Sequence, residues 1–295
     1  MKHKPLDQQV IVVTGASSGI GLCTALLAAE RGASVALLAR SRETLSEACA
    51  LIEESGGNAL SIVADVSSRE QVEAAVEAVI RHFGRIDTWV NNAGVAIYGR
   101  LEEVSEEDSR RLFDINYWGV VNGSLAVLPT LRAHGGALIN VGSEVSDAVI
   151  PLQGMYSASK HAVKGFTDAL RVEVETIDKA PLSIVLIQPT AVNTPYPQHA
   201  RNYLQNEPKL PTPMIDPEKV AGAILDAAES GGRDVPVGAV AHMNTTMSKL
   251  LPRLGDRMSA MQEKRQITDQ PARDRMGTLY KPGESGRVHG FATGG

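Results

Sequence analysis

The sequence predicts an α/β fold in which a doubly wound parallel sheet carries helices on both faces of a single domain. Short apolar runs alternate with helical patterns over the first two thirds of the chain. The runs are apolar at nearly every position, as expected of parallel strands buried on both faces. A glycine-rich segment separates the first run from the first helical pattern. With 295 residues, 43% of them apolar, the chain can bury one large core.

Each element is predicted from the period of its apolar positions. The predicted strands cover residues 10–14, 34–39, 60–64, 88–91, 137–141 and 182–187. The first helix ends near Arg31, and further helices are predicted at 43–54, 69–83, 106–132, 156–176 and 216–230. Asp216 is a suitable cap for the last of these, and Pro217 suits its first turn.

The segment after the first strand has the composition of a dinucleotide site. Gly15, Gly19 and Gly21 lie in the run T-G-A-S-S-G-I-G, between a predicted strand and a predicted helix. Glycines let the backbone approach a pyrophosphate, and the helix N-terminus offers N–H groups and a partial positive charge. Strand, turn and helix in this order predict dinucleotide binding more strongly than the glycines alone.

Polar residues follow the next strands at the same edge of the sheet. Arg40 ends the second strand, where a carboxylate would select a free ribose 2′-hydroxyl and an arginine accommodates a 2′-phosphate. The sequence therefore favours NADP over NAD. Arg42 could replace Arg40 at the 2′-phosphate or share this role. The alternative is that Arg40 is only a solvent-exposed charge in a loop. Asp65 and Val66 end the third strand, where an adenine would lie, and residues 91–94 follow the fourth as N-N-A-G, a composition that also suits a structural turn.

Three side chains form a plausible proton-transfer site. Tyr156 and Lys160 are four residues apart, so a helix places them on one face. A nearby ammonium is expected to lower the pKa of the phenol from its usual value of about 10. Ser143 follows the fifth strand and can hold a substrate oxygen beside the phenol. An isolated Tyr and Lys at this spacing is usually structural, so the interpretation depends on the rest of the chain.

Composition excludes several other classes. The net charge of -5, the pI near 5.8 and the absence of a basic stripe argue against nucleic acid as a partner. Cys23 and Cys49 are too few for a disulfide framework and are expected to be reduced structural thiols. The N-terminus has no signal-peptide core and no run of 18 apolar residues occurs, so we expect a soluble, cytoplasmic protein. No metal site is predicted.

With these residues assembled, the chain resembles the short-chain dehydrogenase/reductase family in its ordinary-length form. The matching pieces cover about residues 10–195 and occur in the family's order. They are T-G-A-S-S-G-I-G from Thr14, Asp65, N-N-A-G from Asn91, Asn116, Ser143, Y-S-A-S-K from Tyr156, and P-T-A-V-N-T from Pro189.

The resemblance implies a Rossmann fold and a catalytic tetrad. Tyr156 would be the general acid in carbonyl reduction, Lys160 would lower its pKa and bond the nicotinamide ribose, Ser143 would hold the substrate oxygen, and Asn116 would keep a water in a proton relay. The cofactor-contacting positions expected from the residues and the resemblance together are Gly15, Ser17, Ser18, Gly19, Ile20, Gly21, Arg40, Arg42, Asp65, Val66, Asn92, Ala93, Gly94, Tyr156, Lys160, Pro189, Val192 and Thr194.

Two positions depart from the family pattern. Thr190 follows Pro189 where glycine is usual, which leaves the backbone less free, although cofactor binding is expected to survive. Glu144 directly follows Ser143 in place of a small residue. Our default expectation is that Glu144 points to solvent. If it faced the cleft, it would disfavour anionic substrates or orient a basic one.

The whole chain divides into three parts. Residues 1–240 are assigned to the catalytic domain, in which 196–215 is a proline-rich, irregular segment expected to cover the substrate. Residues 241–262 are predicted to form an amphipathic helical extension that Pro252 kinks or interrupts, packed on the domain or another subunit, with membrane-surface contact as the alternative. Residues 263–295 form a polar, glycine-rich tail, mobile by default and otherwise ordered over the active-site mouth.

The sequence thus predicts an NADP-dependent oxidoreductase that interconverts a carbonyl compound and its alcohol. The alternatives are a non-catalytic nucleotide-sensing or interaction protein on the same fold, or another reaction such as dehydration or epimerisation. By resemblance, the helices after the fourth and fifth strands form the surface of a homodimer or homotetramer. The substrate is expected to be small and hydrophobic, and the candidate pocket residues are Ile97, Tyr98, Val145, Val149, Gln153 and Tyr196.

Overall fold

A central sheet of seven parallel strands organises the molecule. The computed structural model describes residues 2–283 and 286–290, with the backbone alone described at 247–250 and 252. In chain order the strands are β1 (Val10–Thr14), β2 (Ser34–Ala39), β3 (Asn58–Val63), β4 (Thr88–Asn91), β5 (Ile97–Tyr98), β6 (Gly136–Val141), β7 (Leu182–Pro189), β8 (Arg201–Asn202), β9 (Asn206–Pro208), β10 (Asp234–Val237) and β11 (Ile267–Pro271). The sheet has the order β10-β7-β6-β4-β1-β2-β3. The order reverses at β1 and β4, so a crevice opens there at the carboxyl ends of the strands.

Helices cover both faces of this sheet. They are α1 (Gly19–Glu30), α2 (Arg42–Glu54), α3 (Arg69–Phe83), α4 (Glu106–Phe113), α5 (Gly119–His134), α6 (Gly154–Arg171), α7 (Tyr196–His199), α8 (Pro217–Ser230), α9 (Ala239–Leu250) and α10 (Pro252–Ala260). A π-helical segment, Asp114–Trp118, joins α4 to α5, and another, Val172–Ile177, extends α6. The two long helices predicted at 106–132 and 156–176 are therefore interrupted by wider turns.

Alternation along the strands divides the core into two layers. Ile11 and Val13 of β1 pack with Leu22, Leu45 and Ile224 on one face of the sheet. The intervening residues of β1 pack on the other face, with side chains of α3, α5 and α6. Because successive side chains of a strand point to opposite faces, a strand between two helical layers must be apolar throughout. This confirms the predicted doubly wound sheet and its six predicted strands.

The seventh strand was missed. β10 pairs in parallel with β7, with Val235 opposite Ile187. It lies at the edge of the sheet, and only Val237 of its four residues is fully buried. Pro236 lacks a donor for the ladder, which an edge strand tolerates. A four-residue, half-exposed run with a proline carries too little pattern to be predicted as a strand.

The C-terminal extension is two helices rather than one. α9 ends at Leu250 and α10 begins at Pro252, so the predicted interruption is present. Proline lacks the N–H that would continue the first helix but is suited to opening the second. Within the described part of the chain, no helix is both long and apolar enough to cross a membrane.

The described residues of the tail are packed on the domain. β11 pairs antiparallel with β9 of the segment predicted to be irregular. Leu279 is fully buried in the core layer that contains α3, α5 and α6. Asp108 of α4 accepts hydrogen bonds from Arg201, Tyr203 and Tyr280. One buried carboxylate therefore anchors both the 201–203 segment and the tail, and the default expectation of a mobile tail is wrong for these residues.

Candidate active site

A cavity of about 260 Å³ lies at the carboxyl ends of the strands, under the segments that cross this edge. Most of the predicted site residues line it: Gly15, Ser17, Ser18, Gly19, Ile20, Arg40, Asp65, Val66, Asn92, Ala93, Gly94, Ser143, Tyr156, Lys160, Pro189, Val192 and Thr194. Gly21, Arg42 and Asn116 are not among the lining residues. The structure thus brings the pieces of the sequence motif to one place although they are spread over 180 residues.

The glycine-rich turn is shaped for close backbone approach. Gly15 has a φ of +67°, which glycine adopts without strain. A Cβ at Gly21 would lie 2.3 Å from the Gly15 carbonyl oxygen and 2.4 Å from the Asn92 amide nitrogen. The Asn92 side chain in turn donates to the carbonyl of Thr14 at 2.9 Å, which fixes the turn against the fourth strand. Gly21 is therefore required by packing behind the turn, while the N-terminus of α1 faces the cavity and fits a dinucleotide phosphate.

At the adenosine end, Arg40 lies beside Asp65. The Asp65 carboxylate accepts hydrogen bonds from Ser67 at 2.7 Å and from Arg111 at 2.6 Å. Burial tends to raise the pKa of Asp65, but these bonds outweigh it and the pKa is lowered. Arg111 was not predicted, because it lies on a helix remote in sequence from the strand end it reaches.

Arg42 is exposed at the first residue of α2 and outside the cavity, so it is poorly placed to replace Arg40.

The tail covers this end of the cavity. The Arg40 guanidinium donates to the carbonyls of Thr278, Leu279 and Lys281. The N–H of Gly19, the first residue of α1, donates to the carbonyl of Arg287 at 2.9 Å. Tail carbonyls therefore accept hydrogen bonds from the Arg40 guanidinium and the Gly19 N–H, the two donors that were predicted to bind cofactor phosphates. No sequence signal pointed to this, since backbone carbonyls carry no residue-specific pattern.

Ser143, Tyr156 and Lys160 meet at the other end of the cavity. The side chains of Ser143 and Tyr196 interact with the Tyr156 hydroxyl. The Lys160 ammonium donates to the Val141 carbonyl at 2.8 Å and lies 5.7 Å from the centre of the Tyr156 ring. Ser143 directly follows the short connection at the end of β6, and Tyr156 and Lys160 project from the first turns of α6. This arrangement puts a phenol, a hydroxyl and an ammonium around one point of the cavity wall.

Asn116 lies behind this group, in the π-helical segment between α4 and α5. Its side chain accepts from the Val95 N–H at 2.8 Å and donates to the Val95 carbonyl at 3.0 Å. A Cβ added at Gly94 would be 3.5 Å from the Asn116 oxygen and 3.8 Å from the Lys160 nitrogen. Asn116 is thus a close neighbour of Lys160 that is fully buried and shapes the wall rather than lining it.

The expected lowering of the Tyr156 pKa by Lys160 is not found. Burial raises the pKa of Tyr156 to about 12, and the polar contacts with Tyr196 and Ser143 oppose this rise only in part. Burial also lowers the pKa of Lys160 to about 8. The spacing argument neglected desolvation, which penalises the charged form of both groups in the same closed site.

This pair of pKa values predicts a pH dependence. Below about pH 8 Lys160 carries its charge, and above it the charge is lost, while Tyr156 stays protonated to about pH 12. The Lys160 charge stabilises the phenolate that remains when Tyr156 gives up a proton. Because kcat/KM for the cofactor reports groups of the free enzyme, we expect this parameter for carbonyl reduction to fall as the pH rises through about 8. A flat steady-state profile across that range would contradict the assignment.

Glu144 faces the cleft, contrary to the default expectation. It lines the cavity and accepts a hydrogen bond from the Asn244 amide of α9 at 3.0 Å. Burial raises its pKa, although hydrogen bonds from Asn244 and Thr190 oppose the shift. No pattern in the sequence indicates that α9 reaches Glu144. The prediction that Glu144 points to solvent could therefore not be corrected before the structure was known. Thr190 itself is buried, and its N–H donates to the Val237 carbonyl at 3.2 Å, so the altered Pro189-Thr190 step is held by β10.

The predicted substrate-pocket residues are divided by the structure. Val145, Gln153 and Tyr196 line the main cavity, and the Tyr196 hydroxyl donates to Gln153 at 2.8 Å. Val149 lines a second, adjoining cavity. Ile97 and Tyr98 are buried in the core and line neither cavity, since β5 turns their side chains inward.

Three comparisons bear on this site. The family model described as short chain dehydrogenase matches residues 9–204. The chain is 45% identical over 261 residues to the uncharacterized oxidoreductase YxnA of Bacillus subtilis (strain 168), covering 88% of this chain and 73% of that protein. It resembles the alcohol dehydrogenase of Thermococcus sibiricus complexed with 5-hydroxy-NADP, with 28% identity and a TM-score of 0.69 over 79% of this chain and 97% of that one. It also resembles the 3-ketoacyl-(acyl-carrier-protein) reductase of Brucella melitensis complexed with NADH, with 26% identity and a TM-score of 0.68 over the same shares of 79% and 97%.

Proposed function

The chain belongs to the short-chain dehydrogenase family of NAD(P)-dependent oxidoreductases, and we propose that it reduces a hydrophobic carbonyl compound with NADPH. The observation that carries this proposal is the partly buried Tyr156 phenol, which lies beside Ser143 at the end of a cavity that has a glycine-rich turn at its other end. The phenol and the turn are joined by one continuous wall, so a dinucleotide held at the turn reaches the phenol.

In this proposal Ser143 and Tyr156 both hydrogen-bond the substrate carbonyl oxygen. Tyr156 gives its proton to that oxygen as negative charge develops there, and the Lys160 ammonium stabilises the phenolate left behind. The bound reduced nicotinamide supplies the hydride. Asn116 positions the backbone around Val95 beside Lys160. General acid catalysis of this kind contributes about 10²- to 10⁴-fold in rate.

Burial also sets the protonation state of Tyr156 before the reaction. A phenol with a pKa near 12 is protonated at neutral pH, which is the form that donates a proton in carbonyl reduction. Alcohol oxidation would begin from the phenolate instead.

The proposed preference for NADPH rests on Arg40. It lines the cavity beside Asp65, and it provides several N–H donors in the geometry that phosphate accepts. The similar structures with bound cofactors do not distinguish NADP from NAD, since one holds an NADP derivative and the other holds NADH. A 2′-phosphate would replace the tail carbonyls as the acceptor for Arg40.

We expect Arg40→Ala to weaken NADPH binding about 10- to 100-fold more than NADH binding, because one charge-assisted hydrogen-bonding group is worth about 1.5–3 kcal/mol. Fluorescence titration of each cofactor measures this ratio. The ratio is the proper readout because Arg40→Ala also releases the tail, which acts on both cofactors. Arg42→Ala is the matched control and should change neither affinity. Equal losses for NADPH and NADH in Arg40→Ala would remove Arg40 from the 2′-phosphate site.

The function itself is tested by the same titration followed by a panel of ketones and aldehydes. Tight NADPH binding with oxidation of NADPH in the panel supports the proposal. Tight binding with no turnover favours the alternative of a nucleotide-sensing protein, and turnover without stoichiometric oxidation favours an epimerase or dehydratase. Failure to bind either cofactor would overturn it.

We also propose that the chain assembles as a homodimer or homotetramer through α5 and α6. Trp118, Leu125 and Val172 are exposed apolar side chains on and beside these helices, which a partner surface would cover. Light scattering of the purified protein gives the subunit number. A monomer at micromolar concentration would contradict the proposal.

A further inference from the structure

A second cavity of about 100 Å³ opens beside the active site. It lies beneath α9 and α10, the helices of the C-terminal extension, which contribute Met243, Asn244, Met258 and Ser259 to its wall. The two cavities share the lining residues Glu144, Val145, Ile150, Thr190, Ala191 and Pro211. A molecule whose carbonyl lies at Tyr156 can therefore extend past Glu144 into this second compartment.

The walls of the second compartment are mainly apolar. Val149, Val240, Met243 and Met258 are among the lining residues, and such a wall suits an alkyl or aryl group. None of the described lining residues is Lys, Arg or His. The described part of this wall therefore offers no cation to an anionic ligand.

Its polar groups include two acceptor oxygens. The Glu144 carboxyl stands at the entrance, where the cavities join, and Asn244 donates to one of its oxygens. The side-chain oxygen of Gln262 is buried without a hydrogen-bond partner in the described structure. A buried acceptor without a donor is unfavourable, so a ligand that brings a donor gains from pairing it.

We propose that this compartment selects the substrate, and that Glu144 is the specificity-determining residue that binds a protonated amine on an otherwise apolar carbonyl compound. The inference rests on the proposed carbonyl reduction, and it names the substrate class for that reaction. A carboxylate in a mainly apolar wall, with no cation among the described lining residues of the second compartment, is best paired by a cation from the ligand. The same charge repels a substrate carboxylate, so ketoacids with a free carboxylate at this end are excluded.

The test compares three ketones that differ only at the far end of one alkyl chain, which carries a primary amine, a methyl group or a carboxylate. In the wild-type protein we expect kcat/KM to be at least about tenfold higher for the amine than for the methyl compound, and lowest for the carboxylate, because one close charge pair is worth about 1.4 kcal/mol or more. Glu144→Gln keeps the size and an acceptor for Asn244 but removes the charge. It should abolish the preference for the amine and raise kcat/KM for the carboxylate.

Asp256→Asn is the matched control, because Asp256 is an exposed carboxylate on α10 outside both cavities. It should leave the ratios unchanged. The same ratios in wild type and Glu144→Gln, or equal changes in Glu144→Gln and Asp256→Asn, would overturn the proposal.

A second readout separates this inference from the proposed function. If none of the three ketones oxidises NADPH, the reductase proposal fails. Thermal stabilisation by a simple alkylamine and by an alkanoate of equal length then reports on the compartment alone. Stabilisation by the amine that is lost in Glu144→Gln supports the selection of amines by Glu144, and equal or no stabilisation by the two ligands overturns it.

Discussion

Replacing Tyr156 with Phe is expected to lower kcat for carbonyl reduction by about 10²- to 10⁴-fold, the usual contribution of a positioned general acid. The variant loses a single oxygen, the one that interacts with the side chains of Ser143 and Tyr196. The ring stays, so its edge contact with Tyr196, at 5.5 Å between ring centres, is preserved. NADPH binding should change little, because the glycine-rich turn and Arg40 lie at the other end of the cavity.

The measurement pairs steady-state turnover with fluorescence titration of NADPH. Ser157→Ala is a suitable control on the same helix, since the Ser157 hydroxyl is buried and without a hydrogen-bond partner in the described structure, and it lines neither cavity. That variant should keep wild-type turnover. Retained turnover in Tyr156→Phe would show that the proton comes from another group. Loss of NADPH binding in the same variant would instead place Tyr156 in cofactor binding.

The fold could be predicted because its signals are local and repeated. Val10–Thr14 is apolar at its first four positions and is followed at once by a glycine-rich turn and a helix, so the type of each element and its partner layer follow from the pattern. Ser143, Tyr156 and Lys160 could be placed because a strand end and a helical spacing fix them relative to the backbone. Their pKa values could not be obtained in this way, because desolvation depends on everything that closes over the site.

The parts that were missed depend on contacts between distant segments. Glu144 turns into the cleft because Asn244, a hundred residues later, donates to it. The contacts that hold the tail include the buried Leu279 side chain and the bond from the Tyr280 hydroxyl to Asp108, in a segment whose composition otherwise indicates disorder. The few apolar residues of the tail are scattered among glycines and charges and give no periodic signal, although the burial of one leucine is worth about 1.5–3 kcal/mol.

A chain that ends at Gly277 is expected to bind NADPH about tenfold or more faster than the full-length protein. In the structure the tail gives Arg40 three carbonyl acceptors and gives the Gly19 N–H one. These two donors are the ones proposed to bind the 2′-phosphate and the pyrophosphate. The tail carbonyls must therefore dissociate from the donors before the phosphates can bind. A free-energy cost of about 1.4 kcal/mol for displacing the tail would slow NADPH association by a factor of ten. One hydrogen bond to a charged group is worth about 1.5–3 kcal/mol, so the loss of a single tail contact to Arg40 is enough for this effect.

Stopped-flow fluorescence gives the association and dissociation rate constants separately. Competition by the tail predicts faster association with unchanged dissociation, because the tail is already displaced when the cofactor is bound. The gain should be smaller for NADH, which has no 2′-phosphate to use Arg40. A chain that ends at Gly283 keeps the three Arg40 contacts and loses the one to Gly19, so it should show an intermediate rate.

Loss of Leu279 from the core is the other consequence of truncation, and it must be separated from the effect on the cofactor. Leu279→Ala in the full-length chain reproduces the packing loss while keeping every tail carbonyl, so its thermal unfolding provides the reference for stability. If truncation instead leaves association unchanged and speeds dissociation, the tail closes over a cofactor that is already bound. The tail carbonyls would then stabilise the enclosed state rather than compete with the phosphates, and Arg40 would serve both partners at once.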